Sequence, residues 1–219
     1  MNASASRPTV LLTGFDPFGG ESVNPSWQAV QALDGRIIEG HRVVAVQLPT
    51  AFTASLETLS KALDAHAPRV VVAVGQAGGR DGMSLERVAI NLIDARIPDN
   101  DGDQPVDVPV VADGPAAYFT RLPIKAALQA LTREGIAAHV SQTAGTYVCN
   151  HVFYGLMHAL QDAPDIRAGF VHVPWSPQQA ARHEQPGMAL DRVERALAVI
   201  VATTLITRDD VRVTAGAEC

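Results

Sequence analysis

The chain has 219 residues, 47% of them hydrophobic, and a formal net charge of −6. That length suits one α/β domain spanning residues 1–219, and that apolar content excludes a disordered chain. The acidic balance, without any Lys/Arg cluster, excludes an electrostatic footprint for nucleic acid. Apolar stretches broken by Gly, His or Arg well short of ~18 residues predict no membrane span.

The opening residues MNASASRP lack the charged and apolar regions of a signal peptide. Two cysteines, Cys149 and Cys219, make no disulfide framework, so a reduced, cytoplasmic setting is expected. Residues 1–7 and 211–219 read as flexible ends.

In chain order, Pro8–Thr13 is a short β-branched run that predicts a buried strand, stopped by the loop GFDPFGGESVNP. A helix is expected over Ser26–Leu33, with Ser26 as its N-cap. Arg42–Leu48 reads as a strand closed by Pro49. Phe52–His66 carries Phe52, Leu56, Leu59 and Leu63 on one helical stripe. Arg69–Val74 (RVVVAV) has the unbroken apolar character of a strand buried on both faces. Arg87–Ile97 alternates loosely and predicts a strand; Pro98–Pro115, rich in Asp, Pro and Gly, predicts a long loop. Then follow a helix (Leu122–Glu134), a strand (Ala137–Ser141), a helix (Val148–Leu160), a strand (Ala168–Val173) and a long amphipathic helix (Leu190–Thr207). Strands alternating with helices predict a three-layer α/β/α fold with a largely parallel, mixed central sheet. Sites in such sheets form beyond the carboxyl ends of strands, which directs the search to the loops after Thr13, Val74, Ser141 and Val173.

Several motifs fail on inspection. Asp99–Asp103 (DNDGD) resembles a calcium loop, but its sixth position is Gln104 and its twelfth Val110. Gly75–Gly79 (GQAGG) matches neither the dinucleotide fingerprint nor the P-loop. Ser84, in GMSLE, lacks the second glycine of a nucleophile elbow. His183-Glu184 is followed by Gln-Pro-Gly rather than the spacing of a zinc helix. No metal is assigned.

Cys149 differs in its placement, in TAGTYVCNH, where a loop gives way to a helix. A thiol in a first helical turn feels the positive end of the helix dipole, so its pKa is expected below the ~8.5 of a free thiol. Unpaired N–H groups there can receive an oxyanion. The plain alternative is a buried structural cysteine. A nucleophilic thiol needs a base: His151, two residues along the helix, points about 200° away, whereas His172 stands near a strand end, on the face opposite Val171 and Val173. If Cys149 and His172 follow parallel neighbouring strands, they meet at one sheet edge. A third group must orient the imidazole, and Glu86, between a glycine-rich turn and the strand expected from Arg87, can lie at the same edge. A core histidine and a surface carboxylate are the plain readings of these two residues.

Three separated blocks then resemble one family, the pyrrolidone-carboxylate peptidases, or type I pyroglutamyl peptidases. They are VLLTGFDPFGG (Val10–Gly20) with NPSW (Asn24–Trp27); VGQAGGR (Val74–Arg80) with ERVAIN (Glu86–Asn91) and ARIPDN (Ala95–Asn100); and Ser141–Met157 with GFVHVP (Gly169–Pro174). The resemblance runs from about Thr9 to the last helix. It implies Cys149 as nucleophile, His172 as base and Glu86 as the orienting carboxylate, with Arg96 in the oxyanion region. Phe15, Phe18, Thr50, Ile97, Tyr147 and Val148 match pocket positions, Asn24 is carried with them as substrate-binding, and Gln76 is a hydrogen-bonding neighbour. Tyr147 departs from the family's frequent Phe, and its hydroxyl needs a partner if buried.

The implied activity is release of N-terminal pyroglutamate from peptides by acyl transfer. No cofactor, nucleic acid or membrane is expected, and the resemblance implies a cytoplasmic homo-oligomer, commonly a tetramer. The pocket is expected to hold the neutral lactam against aromatic and aliphatic walls, with no carboxylate to favour an ammonium group. Two alternatives stay open: a nucleoside-phosphorylase-like enzyme, whose anion site would have to be Gly75–Arg80, and a non-catalytic module binding cyclised N-termini.

Overall fold

Residues 7–216 are described by a computed structural model. Residues 1–6 and 217–219, with Cys219 and part of each end expected to be flexible, lie outside the described residues.

The apolar runs form a seven-stranded sheet of order β2-β3-β1-β4-β9-β5-β8. Its centre is parallel: β1 (Thr9–Phe15) lies between β3 (His41–Leu48) and β4 (Val70–Gln76), and β4 pairs in turn with β9 (Arg167–Val173). Strand alternation sorts their side chains. Val10, Leu12, Val70, Val72, Val74, Val171 and Val173 join one buried cluster. It is covered by α1 (Pro25–Ala32), α3 (Ile124–Arg133) and α6 (Leu190–Ile206). Leu11, Val71, Ala73, Ala168 and Phe170 join a second cluster, under α2 (Phe52–His66) and α4 (Val148–Ala159). Each fully buried Val or Leu in these clusters contributes roughly 1.5–3 kcal/mol. The α/β architecture and the mixed, mostly parallel sheet are therefore as expected.

Several local readings are corrected. Ser26 is not the cap of α1. Asn24 is, because its Oδ1 accepts from the Ser26 N–H at 3.0 Å and the Ser26 hydroxyl at 2.8 Å. The strand expected over Arg87–Ile97 is only β6 (Val88–Ile90), paired with β7 (Ala117–Phe119) in a separate two-stranded sheet. It stops because Asn91 turns its side chain to the long loop, donating to the Val111 and Gly114 carbonyls and accepting from the Val111 N–H. Sequence reading also missed β2 (Ile37–Ile38) and α5 (Pro177–His183), both too short for a periodic signal.

The largest correction concerns β5 (Met83–Glu86), four wholly buried residues that sequence reading left without an element, between a glycine-rich turn and the strand expected from Arg87. It inserts between β9 and β8 (Ala138–Ser141), antiparallel to β9 and parallel to β8. The strands bearing His172 and leading to Cys149 are thus not neighbours. Glu86 ends a strand that runs against β9, so it lies within the sheet rather than at its carboxyl edge.

Candidate active site

α4 begins without a side-chain cap at Tyr147, and its first internal bond runs from the His151 N–H to the Tyr147 carbonyl, 3.1 Å. The N–H groups before it, that of Cys149 included, have no acceptor within the helix. Asn150 ties this turn to the segment after β6, accepting from the Ile90 N–H at 3.0 Å and donating to the Ile90 and Leu92 carbonyls. Thr146 and Asp94 exchange two further bonds just before the helix. Sequence reasoning did not single out Asn150; its place beside the thiol was the available signal.

The helix lowers Cys149 onto the sheet. A Cβ on Gly75 would stand 2.8 Å from the Cys149 sulfur and 2.8 Å from the Phe170 ring, so only glycine leaves room for the thiol here. Gly75 pairs across β4 and β9 with His172. The thiol and the imidazole are therefore brought together over one face of the sheet, near its carboxyl end. His151 is excluded as a partner: its Nε2 donates to the Phe52 carbonyl at 2.9 Å, and burial lowers its pKa to about 4.

His172 is 3% exposed and Glu86 fully buried, and His172 Nδ1 lies 2.8 Å from Glu86 Oε1. A carboxylate only accepts, so Nδ1 carries the proton and Nε2 is left as the basic nitrogen. Burial works to raise the Glu86 pKa, but the His172 hydrogen bond, with help from Ser141 and the Arg80 charge, holds the carboxyl below its usual range. Burial lowers the His172 pKa more than Glu86 raises it, and the Arg80 charge lowers it further. The pair rests as a carboxylate and a neutral imidazole.

Arg80 is the group that sequence reasoning missed. Its Nη1 lies 2.7 Å from the same Glu86 Oε1 that meets His172, and its Nη2 donates to the Thr143 carbonyl at 3.3 Å. The arginine was visible only as the last letter of a matching block, VGQAGGR. The low thiol pKa expected from the helix dipole is also corrected. Burial pushes the Cys149 thiol up to about 12, the Glu86 charge adds to this, and only Arg80 opposes it. The thiol therefore rests protonated and the imidazole neutral.

The remaining expected residues divide into two groups. Phe18, Arg96 and Ile97 line two adjoining clefts, of about 380 and 670 Å3. Tyr147 walls the smaller cleft and Gln76 the larger. The Tyr147 hydroxyl has its partner, the Pro98 carbonyl at 2.9 Å, and its ring packs edge-on against Phe52. Among the described residues Arg96 makes no ion pair or hydrogen bond. Phe15, Asn24, Thr50 and Val148 are buried and border neither cleft. Thr50 and the Asn24 amide are engaged with Asp16, which fastens the two loops together. Of Phe15, Phe18, Ile97 and Val148, the walls expected of a pocket without a carboxylate, only Phe18 and Ile97 line the smaller cleft, and Asp94 stands there beside Arg96.

The calcium-like segment is a cap: Asp99 Oδ2 accepts from the Phe52 N–H at 2.8 Å, and its Oδ1 accepts from the Asp101 and Asp103 N–H groups. Among the described residues no group of three or more His, Cys, Asp or Glu could hold a metal ion, and no helix is long and apolar enough to cross a membrane. Gly75–Arg80, the anion site a phosphorylase would need, is otherwise engaged. Gly75 meets the thiol, Gly78 is covered by Trp175, and Arg80 is paired with Glu86.

A model of the pyroglutamyl peptidase family matches residues 8–207. The pyrrolidone-carboxylate peptidase of Escherichia fergusonii is 58% identical over 210 residues, covering 95% of this chain and 98% of that protein. The one from Cupriavidus taiwanensis is 57% identical over 212 residues, with 95% and 98% covered. Among solved structures, pyroglutamyl peptidase I from Bacillus amyloliquefaciens superposes with a TM-score of 0.93 at 48% identity, covering 95% of this chain and 100% of that one. A pyrrolidone carboxyl peptidase from Thermococcus litoralis reaches a TM-score of 0.91 at 36% identity, with 94% and 99% covered. With a family match over nearly its whole length and relatives this similar, the chain belongs to the pyroglutamyl peptidase family.

Proposed function

We propose that this chain hydrolyses the bond after an N-terminal pyroglutamyl residue, with Cys149 as nucleophile, His172 as acid–base and Glu86 as the group that orients the imidazole. The observation that carries the reading is a cysteine at a helix start packed over Gly75, the cross-strand partner of a histidine whose Nδ1 is held by a buried carboxylate. Family membership supports the pyroglutamyl specificity.

Because the thiol rests protonated, attack and proton transfer go together. The sulfur bonds to the pyroglutamyl carbonyl carbon as its proton passes to His172 Nε2. The oxyanion is received by N–H groups of the first turn of α4, with Arg96 at the cleft wall. His172 then protonates the departing amine, breaking the C–N bond and leaving a thioester. Water, losing a proton to His172, attacks that carbon; the C–S bond breaks, the thiol regains its proton, and pyroglutamate leaves. No cofactor enters this cycle. The lactam sits in the smaller cleft against Phe18, Ile97 and Tyr147.

The family resemblance also supports a cytoplasmic homotetramer, which light scattering coupled to size exclusion tests directly. The activity itself is tested with a fluorogenic pyroglutamyl amide. Release of fluorophore abolished by iodoacetamide is the expected result, and turnover that survives complete alkylation of Cys149 would sink the assignment.

A further inference from the structure

The two clefts share the wall Phe18, Arg96 and Ile97 and then diverge. The smaller adds Asp94, Thr146 and Tyr147 to that wall and holds about 380 Å3. The larger passes Gln76, the residue after the glycine beneath the thiol, and runs on to Trp175, His183 and Gln185. Cys149 itself lines neither cleft, but Tyr147, two residues before it, walls the smaller and Gln76, next to the glycine beneath it, walls the larger. A substrate with its lactam in the smaller cleft and its carbonyl at Cys149 therefore has the larger as the contiguous space for its next residues.

We propose that the larger cleft seats the leaving side of the peptide, and that Trp175 and His183 form a platform selecting an aromatic residue among the first two after pyroglutamate. This rests on the peptidase reading above. The two rings stack at 4.1 Å between centroids with an interplanar angle of 24°. The indole is set by the backbone: a Cβ on Gly78 would stand 2.3 Å from Trp175 Cζ2, and the Trp175 carbonyl accepts from the Met188 N–H at 2.9 Å.

His183 is held by Glu21, whose Oε1 lies 3.1 Å from Nε2, and its side chain remains 43% exposed to receive a further ring. The buried Gln179 joins this wall to the site: its Nε2 donates to Glu21, to the Val23 carbonyl and to Gln76 Oε1. The platform is therefore pre-organised, which reduces the ordering cost of binding.

Charge narrows the class further. The Glu21 carboxylate is matched by Arg182 and His183, so this wall offers no free anion to a basic residue. The wall shared by the two clefts carries Arg96, whose guanidinium also favours an aromatic face.

The test compares pyroglutamyl-Gly-Gly amide with pyroglutamyl-Phe-Gly and pyroglutamyl-Gly-Phe amides, measuring released pyroglutamate. Wild type is expected to favour one of the phenylalanine peptides by roughly three- to tenfold in kcat/KM, mostly through KM. Trp175→Ala should bring that ratio to near one. His183→Gln, which keeps a hydrogen-bonding partner for Glu21 while deleting the stacked ring, should reduce it without depending on how Trp175→Ala folds. A wild-type ratio near one overturns the platform, as does a ratio unchanged in His183→Gln and in folded Trp175→Ala. Loss of turnover in both variants by one common factor on all three peptides also overturns it, since the cleft would then hold the lactam. Absence of pyroglutamate release from every peptide by wild type would instead overturn the peptidase reading, and this inference with it.

Discussion

On the face covered by α1, α3 and α6, the strands present Val10, Leu12, Val70, Val72, Val74, Met83, Leu85, Val171 and Val173. On the other face the same strands present Thr13, Gly75, Ser84, Glu86 and His172 among Leu11, Val71, Ala73 and Phe170. Both sets are buried, yet one is uniformly apolar and the other interrupts its core with ionisable groups and a missing side chain. Burial thus does two jobs in one sheet. On the first face it supplies stability. On the second it dries Glu86 and His172, which strengthens their hydrogen bond and fixes their protonation states.

If the faces divide the labour in this way, a substitution on one should spare the property owned by the other. Cys149→Ala is expected to reduce pyroglutamyl amide hydrolysis at least ~1000-fold with little change in Tm. Leu197→Ala, in the core of the α6 face, should destabilise by about 2–5 kcal/mol and leave kcat nearly unchanged below its melting range. Parallel measurement of rate and thermal unfolding decides, and a large kcat loss in Leu197→Ala would break the comparison.

Glu86→Gln should cost about 100- to 10,000-fold in kcat/KM, because an amide can face Nδ1 with its N–H2 and favour the wrong tautomer. The same variant sharpens the stability side. The Glu86 pKa is lowered on folding, so its contribution is fully present above the unfolded value and lost as pH falls through the folded one. Acid unfolding below the usual carboxylate range should therefore be shallower in Glu86→Gln; an identical acid transition would mean that Glu86 does not titrate there.

Arg80→Met tests the bridge between the buried pair and solvent. The Arg80 charge lowers the His172 pKa, so its removal should move the acid limb of kcat/KM to higher pH. If His172 is the base proposed above, it must be neutral to act, so wild type should keep its activity to pH values below the ordinary histidine range and the variant should lose it sooner. An unmoved limb in a folded variant would show Arg80 to be structural only. The smallest effect is expected from Tyr147→Phe, which forfeits the bond to Pro98 and should lower stability by about 1 kcal/mol while retaining turnover.

The long apolar runs made the central strands legible, and alternation along FVHV put His172 opposite Val171 and Val173, which lie in the other cluster. Cys149 was legible from the change of pattern at a helix start. β5 was not, because four residues carry too little periodicity to reveal a strand whose direction opposes its neighbour's. Arg80 was hidden for a related reason: its partner lies only six residues away, but across a turn and a strand whose geometry no spacing rule supplies. The thiol's protonation state was misread because the helix dipole is local and visible in sequence, whereas desolvation belongs to the assembled fold.

The loop from Pro98 to Pro115 is anchored less by regular backbone ladders than by carboxamides and one carboxylate: Asn91 holds Val111 and Gly114, and Asp99 holds its own turn and the start of α2. That choice of fastener exposes the enzyme to chemical ageing. Deamidation of Asn91 would exchange a donor for an acceptor opposite two carbonyls, turning two attractions into repulsions without changing the side chain's size. Asp99 has no such vulnerability, since a carboxylate cannot lose an amide. Mass spectrometry of aged enzyme should accordingly link any loss of activity through this loop to a gain of one mass unit at Asn91, and the wall that carries Arg96 and Ile97 would loosen with it.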